Sequence, residues 1–325
     1  MEKINIAFCT DDNYIMPCGI AMISLLENNK GRSVTFHIVG MDLKEPSKEK
    51  LQLISSRYSD VSVLFYEIAS QLFESYGLSL YNSEYLSFST YSRLFLGDIL
   101  PPNINKVLYL DCDIVVPKDL SNLWDINIEN YSVGGIPDLC MFNSKASERL
   151  GYKDTFQYIN AGVLLINLKY WREKKVLNLF LDFYKEKQDK LLFHDQDIIN
   201  GVLYDTKLVL PIKYNMVDFN FVAKQNIVPE YKDEVYEGLQ DPVIIHFTAS
   251  SKPWLKSCIH PLKEEFLKYK SISPWKDEAL VWPSKKSFSR ISRYYKRMIL
   301  YSLKLKKRKY IELKKDTHTK KYNIV

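Results

Sequence analysis

The sequence contains few of the patterns that mark membrane-spanning, disulfide-linked or zinc-ribbon proteins. No run approaches the roughly 18 consecutive apolar residues that a membrane-spanning helix requires. There are five cysteines, an odd number, and none of them forms a CxxC pair. A disulfide framework or a zinc ribbon is therefore disfavoured, and we expect reduced thiols in a cytoplasmic protein.

Two glycine-rich signatures of nucleotide binding, GxGxxG and the Walker A loop, are also missing, as are internal repeats. The first residues, MEKINIAFCTDD, include acids and no long apolar core, so we expect a first strand there and no secretory signal. The composition is that of an ordinary globular protein, with 46% apolar and 26% charged residues. A chain of 325 residues can form one large domain, with or without an appendage.

Positive charge is concentrated at the C-terminal end of the chain. Residues 285–325 contain fifteen Lys or Arg and two acids, a net charge of +13. The remaining residues contain 30 bases and 37 acids and carry −7. The chain therefore has an acidic body and a strongly basic tail, and we predict a main domain over 1–270 and a helical tail over 271–325.

Predicted strands and helices alternate along the first third of the chain. The strands are 4–10, 33–40, 61–68 and 106–116, and the helices are 15–29, 45–58 and 87–100. Further on, strands are predicted at 133–137, 158–168 and 243–249, and helices at 174–187 and 195–204. Alternation of this kind favours a mostly parallel sheet covered on both faces, with ligands bound at the carboxyl ends of its strands.

A pair of acids interrupts the apolar run YLDCDIVV at residues 109–116. If the run is one buried strand, Asp111 and Asp113 point to the same face, because side chains alternate along a strand. Two carboxylates held together are costly unless a cation lies between them. Oxygen ligands suit hard cations such as Mg²⁺ or Mn²⁺, which bind diphosphates through their open positions. The alternative is a strand end whose acids are solvated or cap a turn.

Six stretches in the same order connect the sequence with a known family. They are AFCTDDNY (7–14), STYSRLFLGDILP (89–101), KVLYLDCDIVV (106–116), YINAGVLLINLKYWR (158–172), HDQDIINGVL (194–203) and HFTASSKPW (246–254). The sequence resembles the retaining glycosyltransferases of family 8, in particular the bacterial galactosyl- and glucosyltransferases that build lipopolysaccharide or other surface glycans. The resemblance implies the GT-A fold, a Rossmann-like α/β architecture with a mixed, mostly parallel sheet and helices on both faces.

The resemblance also implies a metal and diphosphate site. Asp111, Asp113 and His246 match the positions that bind Mn²⁺ (or Mg²⁺) in the family, and Asp111 also belongs to the donor site. Lys252, six residues after the histidine, matches the lysine that contacts the diphosphate. A metal and a lysine would stabilise negative charge where it develops on the leaving group. One departure is Ala249, at a position that is often glycine.

The nucleotide and the transferred sugar are assigned by the same resemblance. Asp11 would accept from uracil N3–H, Asn13 would lie near the ribose, and Tyr14 would stack on the base. The donor is then a UDP-hexose, UDP-galactose or UDP-glucose. Asp11 is also suited to cap the next helix, and both roles can hold together.

Five more residues would surround the transferred sugar and its acceptor. The resemblance implies that Arg93 and Asp195 hold donor hydroxyls and that Asn160 belongs to the donor site around the transferred sugar. Gln196 would lie beneath the anomeric carbon, on the face opposite the leaving group. Glutamine is a poor nucleophile, so we favour front-side transfer, with double displacement through Asp195 as the alternative. Asp138 matches a position near the acceptor.

The acceptor is the least determined part of the prediction. We expect a lipopolysaccharide core or a lipid-linked or capsular saccharide, joined through an α linkage. The wall around Tyr85 departs from the family pattern, which leaves the acceptor open. Two alternatives are a transferase that extends O-glycans on a protein and a non-catalytic, membrane-tethered protein that binds nucleotide sugars.

The basic tail predicts attachment to a membrane surface. From about residue 285, aromatic and aliphatic residues recur at helical spacing among many cations, as in an amphipathic helix. We expect this helix to hold the protein at the cytoplasmic face of the membrane, on the anionic inner leaflet. Nucleic acid would also attract such a tail, but the acidic body and the lack of a recognisable nucleic-acid module argue against it.

Overall fold

The computed structural model describes residues 3–78, 89–142, 144–223, 227–250, 252–283 and 288–324. Its strands are β1 (Ile4–Asp11), β2 (Val34–Met41), β3 (Val61–Glu67), β4 (Lys106–Leu110), β5 (Ile114–Val115), β6 (Val133–Pro137), β7 (Ile159–Asn167), β8 (Lys207–Val209), β9 (Met216–Val217), β10 (Ile245–His246), β11 (Leu313–Lys315) and β12 (Tyr322–Ile324). Seven of them form the main sheet in the order β3-β2-β1-β4-β7-β6-β8.

The main sheet is mixed but mostly parallel, as predicted. Strand β1 pairs in parallel with β2 and β4, β2 with β3, and β6 with β8. Strand β7 runs antiparallel to both of its neighbours, β4 and β6. The carboxyl ends of β1 and β4 therefore meet at one edge of the sheet, where a ligand site is expected.

Helices cover the sheet on both faces. They are α1 (Ile15–Asn28), α2 (Glu45–Ser55), α3 (Ser70–Ser75), α4 (Ser89–Ser92), α5 (Leu96–Ile99), α6 (Ser121–Trp124), α7 (Ala146–Leu150), α8 (Leu168–Glu173), α9 (Val176–Lys187), α10 (His194–Val202), α11 (Lys232–Gln240), α12 (Lys263–Lys270) and α13 (Phe288–Ser302). Ile4, Ile6 and Phe8 of β1 join one buried cluster with α1, α2 and α12, whereas Ala7 and Cys9 join another with α8, α9 and α10. The alternation along β1 thus separates two apolar cores.

Helix α1 is buried on nearly all sides between the sheet and the C-terminal part of the chain. Pro17 lies in its first turn, where the missing N–H costs no hydrogen bond. A Cβ at Gly19 would lie 2.4 Å from the Trp275 ring, so the small residue permits close packing there. Gly31, with φ of 81°, follows the helix in the left-handed conformation that glycine adopts readily.

The prediction of one strand over 106–116 is wrong. Strand β4 ends at Leu110, and β5 belongs to a second, three-stranded sheet with the order β5-β10-β9. The chain changes sheets at this point because the Asp111 N–H bonds to Gly162 of β7, whereas Ile114 pairs antiparallel with His246 of β10. The two acids thus lie in a turn between two sheets, and the predicted strand over 243–249 shortens to the two residues of β10.

The prediction of one continuous helix over 87–100 is also wrong for the described part, residues 89–100. Residues 87 and 88 lie outside the described residues, and α4 and α5 are separated by a 3₁₀ turn at Arg93–Phe95. This tighter turn belongs to the buried part of the chain, and Arg93 is only 7% exposed. The guanidinium donates to the carbonyls of Thr90 and Ala161, which fastens the interrupted helix to β7.

The C-terminal residues form a helix followed by a hairpin. The predicted amphipathic helix is present as α13, and the chain then returns to pair β11 with β12 in antiparallel register. Tyr310 and Tyr322 are 6% and 5% exposed and join the same core as α1. No sequence pattern had indicated this hairpin, and the division of the chain at residue 270 stays a prediction. Among the described residues, no helix is both long and apolar enough to cross a bilayer.

Candidate active site

Three predicted ligands meet at the edge where the two sheets join. Asp111 and Asp113 lie in the turn after β4, and His246 ends β10. His246 Nε2 lies 3.1 Å from Asp113 Oδ1 and 3.6 Å from Asp111 Oδ2. One ligand atom from each residue lies within 4.8 Å of the other two. The second sheet produces this convergence, because β5 and β10 are paired strands.

The orientation of His246 fits a metal ligand. Its Nδ1 lies 2.9 Å from Asn215 Oδ1, and Asn215 Nδ2 donates to Asn160 Oδ1 at 2.8 Å. The Asn215 carbonyl oxygen therefore faces the imidazole, and Nδ1 is the donor. This leaves Nε2 directed at the carboxylates of Asp111 and Asp113.

The backbone leaves room at this site for the histidine and the carboxylate. A Cβ on Gly162 would lie 2.2 Å from His246 Cε1 and 2.7 Å from Asp111 Oδ2. Any larger residue would displace both groups. Two carboxylates and one imidazole, largely shielded from water, form a donor set that suits Mn²⁺, which accepts oxygen and nitrogen ligands. The residues present therefore fit a divalent cation.

The charges around Asp113 are strongly coupled. Burial raises the pKa of Asp113, but Lys252 and His246 outweigh it and hold this pKa well below its ordinary value. Burial lowers the pKa of His246, but Asp113 and Asp111 more than offset it, so the pKa is raised. The carboxylates thus favour positive charge at the centre of the site.

Lys252 lies directly beside the three candidate metal ligands. Its Nζ is 2.6 Å from Asp113 Oδ2 and donates to the Phe247 carbonyl at 2.7 Å. Burial lowers the pKa of Lys252, but Asp113 outweighs this effect and the pKa is raised. The ammonium group therefore stays charged next to the cluster, where an anionic ligand of the metal would meet it.

Arg93 is the centre of a second set of charges. Its Nη2 lies 3.0 Å from Asp111 Oδ1, and its Nε lies 2.9 Å from Asp195 Oδ2. The guanidinium carbon lies 4.6 Å from the centre of the Tyr109 ring, and the Tyr109 hydroxyl donates to Asp111 Oδ1 at 2.6 Å. Arg93 thus connects the metal site with the start of α10.

Asp195 keeps one oxygen without an aligned donor. The side chain is almost fully buried, and its Oδ2 accepts no well-directed hydrogen bond from the described residues. The short distance to Arg93 Nε does not make one, because that N–H donates to the Thr90 carbonyl. Burial, opposed by Arg93 and reinforced by Asp111, raises the pKa of Asp195 to about 7. A buried acceptor of this kind can receive a ligand hydroxyl.

Gln196 is held by a polar network at the amino-terminal end of β7. Its Oε1 accepts from the Ala161 N–H at 3.0 Å and from Asn160 Nδ2 at 3.1 Å. Its Nε2 donates to Asp138 Oδ2 at 3.1 Å, and Asn160 Nδ2 reaches the same oxygen at 3.2 Å. The backbone N–H fixes which end of the amide is the carbonyl. Asp138 thus belongs to the immediate surroundings of Gln196.

Asp11, Asn13 and Tyr14 lie at the carboxyl end of β1, the strand beside β4. Asp11 Oδ1 accepts from the N–H groups of Asn13 at 2.9 Å and Tyr14 at 3.2 Å, so its capping role is present. The Tyr14 ring meets Trp254 edge to face, with centroids 5.7 Å apart. Trp254 follows Lys252 closely, and this end of β1 therefore adjoins the metal site.

Sequence reasoning missed several residues of the site. They are Asn215, which orients His246, Gly162, which leaves space for it, and Tyr109, which donates to Asp111. Tyr109 and Gly162 lie inside recognised stretches, but Asn215 follows an unremarkable KY dipeptide. Only the three-dimensional fold brings it to the histidine. The predicted acceptor wall at Tyr85 lies outside the described residues.

Comparison with known proteins identifies the family. A sequence profile described as glycosyl transferase family 8 matches residues 5–258. The chain belongs to glycosyltransferase family 8. The match includes every predicted site residue from Asp11 to Lys252 and ends before α12, so that the C-terminal helix and hairpin lie beyond it.

Several family relatives resemble this transferase over most of its length. It is 31% identical over 281 residues to a lipopolysaccharide 1,2-glucosyltransferase of Escherichia coli, covering 85% of this chain and 80% of the relative. It is 28% identical over 279 residues to general stress protein A of Bacillus subtilis, covering 84% and 95%. A lipopolysaccharide 1,3-galactosyltransferase of Salmonella typhimurium is 25% identical over 288 residues, covering 87% and 82%.

A solved structure confirms the predicted fold. The galactosyltransferase LgtC, in complex with donor and acceptor sugar analogs, superimposes with a TM-score of 0.75 at 27% sequence identity. The match covers 83% of this chain and 96% of LgtC. The transferase therefore has the GT-A fold, and the Asp111, Asp113 and His246 cluster lies at its sheet edge.

Proposed function

We propose that this transferase moves galactose or glucose from a UDP-sugar to a bacterial surface glycan, with Mn²⁺ or Mg²⁺ and with retention of configuration. The observation that supports this most strongly is the convergence of Asp111, Asp113 and His246 next to Lys252. Nucleoside diphosphates are bound in this way when a metal leaves coordination positions open. The relatives include both a glucosyltransferase and a galactosyltransferase, so the proposed hexose is either glucose or galactose.

The proposed leaving group is the diphosphate. When bound by Asp111, Asp113 and His246, a divalent cation would stabilise the negative charge that develops there. Lys252 adds a second positive charge. Burial keeps this charge away from bulk water, and electrostatic stabilisation is stronger in such a site than in water. No general acid is required, because the diphosphate leaves as a stabilised anion.

The transferred sugar would lie between Arg93 and α10. Asp195 Oδ2 has no aligned donor among the described residues, so a sugar hydroxyl can donate to it. Arg93 holds Asp195 and Asp111 in fixed relation, since it lies about 3 Å from a carboxylate oxygen of each. Asp11, Asn13 and Tyr14 are proposed to bind the uracil and the ribose at the neighbouring strand end.

Retention is proposed to occur by front-side transfer. The acceptor hydroxyl attacks the face from which the diphosphate departs, and the departing phosphate oxygen takes the hydroxyl proton. Gln196 stabilises the cationic sugar through its carbonyl, which the Ala161 N–H and Asn160 hold in place. Double displacement would require Asp195 as a nucleophile. Burial raises the pKa of Asp195, which disfavours the carboxylate form that this alternative route needs.

The acceptor proposed is a lipopolysaccharide core or a lipid-linked or capsular saccharide. Asp138 lies next to Gln196 and Asn160 and would contact the acceptor. Two of the relatives carry lipopolysaccharide in their names, which supports this acceptor class.

The tail is proposed to bind the cytoplasmic face of an anionic membrane. On α13, Tyr295 and Ile299 are 56% and 57% exposed and Met298 is 37% exposed, although all three are large and apolar or aromatic. Lys296 and Arg297 lie among them on the same helix. Exposed apolar groups between cations favour anionic lipid surfaces. Sedimentation with phosphatidylglycerol vesicles, but not with phosphatidylcholine vesicles, is expected. Equal recovery with both would remove the electrostatic part of the proposal.

The reaction is tested by measuring UDP release from a panel of nucleotide sugars, with Mn²⁺ and with EDTA. Slow hydrolysis of one UDP-hexose that stops with EDTA is expected even without an acceptor. Release from a sugar carried by another nucleotide, or release that EDTA leaves unchanged, would contradict the proposed donor or the proposed metal.

A further inference from the structure

Tyr310, in the C-terminal segment, is connected through the buried carboxylate of Asp218 to the segment between His246 and Lys252, here called the active-site loop. Tyr310 is 6% exposed, and its hydroxyl donates to Asp218 Oδ1 at 2.9 Å. The other oxygen of the same group, Asp218 Oδ2, accepts from the Ala249 N–H at 2.9 Å. Asp218 is itself 7% exposed, and its hydrogen bond with Tyr310 is buried, whereas the one with Ala249 is partly buried.

Ala249 occupies the middle of the loop that holds the metal and diphosphate residues. His246 lies three positions before it and Lys252 three positions after it. The Asp218 N–H also approaches Thr248 Oγ1 at 3.4 Å, a second and longer contact with the same loop. Asp218 thus fixes the loop between its two functional side chains.

The same loop is tied to the metal turn on its other side. The Phe247 N–H donates to the Asp113 carbonyl at 2.9 Å, and the Phe247 carbonyl accepts from Lys252 at 2.7 Å. A shift at Ala249 would therefore be felt at Asp113 as well as at Lys252. These contacts form a continuous path from Tyr310 to the charged cluster.

Tyr310 is held where it can make this contact. The Ala223 N–H donates to the Lys309 carbonyl and the Ile311 N–H donates to the Phe221 carbonyl, both at 2.9 Å. These bonds on either side of Tyr310 form a short antiparallel bridge with Val222. The ring also lies 5.5 Å from His260, whose ring packs against Phe247 at 4.8 Å. The position of Tyr310 is thus set by the backbone as well as by packing.

We infer that Tyr310 is a positioning residue for the active-site loop, acting through Asp218 on Ala249. The segment between α13 and β11, which contains Tyr310, then helps to position the active-site loop, although it lies beyond residue 258, where the family match ends. The effect on the loop is independent of the reaction, whereas the consequence for ligand binding rests on the proposed function. Loss of the Tyr310 hydroxyl should loosen the loop and weaken binding of UDP and Mn²⁺.

The chain offers a matched control at Tyr322. Its hydroxyl donates to Glu265 Oε1 at 2.6 Å, and it is 5% exposed, so both tyrosines bond a buried carboxylate from the same C-terminal segment. Glu265 belongs to α12, and neither it nor Tyr322 contacts residues 246–250 in the hydrogen bonds described. Y322F therefore removes a bond of the same kind without a path to the loop.

The first experiment is hydrogen–deuterium exchange of the full-length protein, without ligand, in wild type, Y310F and Y322F. The Ala249 amide should exchange about tenfold faster in Y310F. The reason is that Asp218, which accepts from this amide, loses the hydrogen bond that Tyr310 donates to it. In Y322F the same amide should exchange at the wild-type rate. Unchanged exchange at Ala249 in Y310F, or equal acceleration in both variants, would overturn the inference.

A double-mutant cycle with Asp218→Asn separates the path from a general loss of stability. Once Asp218 no longer bridges, Y310F should change Ala249 exchange by less than about twofold, because coupled residues are non-additive. Fully additive effects of the two substitutions would contradict the path through Asp218.

The second readout is the calorimetric affinity for UDP with Mn²⁺. A several-fold weaker Kd is expected for Y310F, and an unchanged Kd for Y322F. Wild-type affinity in Y310F would overturn the link to the ligand site. If Ala249 exchange rises as expected but the wild-type protein binds no UDP, the positioning role stands and the proposed donor is what fails.

Discussion

Two arginine–aspartate clusters draw their acids from the same helix, two residues apart, and differ in one respect. In the first, Asp195 faces Arg93, and its Oδ2 receives no aligned hydrogen bond from the described residues. In the second, Asp197 accepts two hydrogen bonds from Arg149, at 2.7 and 2.9 Å. Both acids are buried, but only Asp195 has a carboxylate oxygen that lacks an aligned hydrogen bond among the described residues.

The surroundings of Asp197 show what a satisfied buried acid looks like. It also accepts from the Tyr158 hydroxyl at 2.7 Å and from the N–H groups of Leu192 and Phe193 at 2.7 and 2.8 Å. Burial raises the pKa of Asp197, but these donors and Arg149 outweigh it and lower the pKa. The motif DQD thus contains one acid with an oxygen that lacks an aligned hydrogen bond and one whose hydrogen bonds fix the start of the helix.

The largest effect on activity is expected at the three proposed metal ligands. Asp113→Asn or His246→Ala should lower turnover by orders of magnitude, because each removes a ligand at the point where charge develops. Circular dichroism and thermal unfolding should remain those of a folded protein. Unchanged Mn²⁺-dependent turnover in either variant would remove the metal assignment.

Replacing each acid by its amide should affect turnover in one cluster and folding stability in the other. Asp195→Asn should reduce turnover by about a hundredfold or more, in the range of a lost transition-state contact. Its unfolding free energy should stay within about 1 kcal/mol of wild type, because burial outweighs the ion pair with Arg93 and raises the pKa of Asp195, so folding does not favour the charged form that asparagine removes. Steady-state kinetics and denaturant unfolding measure both quantities.

Asp197→Asn should show the opposite pattern. It leaves Arg149 without its charged partner and should cost about 3 kcal/mol of folding free energy, as for a broken buried pair. Turnover per folded molecule should stay close to wild type at low temperature. A variant at 197 that is stable but inactive would erase the distinction between the two clusters.

A smaller, steric effect is expected at Gly162. Gly162→Ala places a Cβ 2.2 Å from His246 Cε1, so the imidazole must move and Mn²⁺ affinity should fall by roughly ten- to a hundredfold. Gly97→Ala is the control, since its Cβ would meet Trp171 at an ordinary 3.4 Å. Calorimetric Mn²⁺ titration compares them, and equal affinities would show that the space at Gly162 is not required.

The smallest difference concerns pH, measured on metal-free protein in EDTA. The pKa of Asp195 is raised from 3.8 to about 7, so the folded state binds more protons and stability falls as pH rises between these values. The pKa of Asp197 is lowered, so its contribution is present above the unfolded pKa and is lost as pH falls through the folded one. Asp195→Asn should reduce the decline in folding stability as pH rises toward neutral. Asp197→Asn should reduce the loss of folding stability as pH falls into the acid range. Identical pH profiles for the two variants would contradict these assignments.

Alternating strands and helices predict the sheet and its ligand edge, because they determine which strand ends meet. The paired acids Asp111 and Asp113 predict a cation there on physical grounds, whereas His246 was assigned by the family resemblance. The mechanism of convergence was wrong, because Asp111 and Asp113 are brought together by a turn between two sheets and not by alternation in one strand. A strand that changes sheets has the same apolar pattern as a continuous one.

The supporting residues were beyond sequence reasoning. Asn215 orients His246 from 31 positions away, and nothing in its neighbours distinguishes it from an ordinary turn asparagine. Tyr310 bonds Asp218 across 92 positions and lies in a segment whose charge indicated only a surface tail. Such contacts depend on the packed fold, because they join segments that share no local pattern. The nucleotide contacts, the hexose, the acceptor and membrane attachment stay predictions.

The central claim is that the Asp111, Asp113 and His246 cluster binds a divalent cation that in turn binds the diphosphate of UDP. Calorimetric titration of UDP into wild type and Asp113→Asn, each with Mn²⁺ and with EDTA, tests it most directly. UDP should bind the wild type only with Mn²⁺, and the variant should bind at least about tenfold more weakly under the same condition. Equal UDP affinity in EDTA, or in the variant, would contradict the claim.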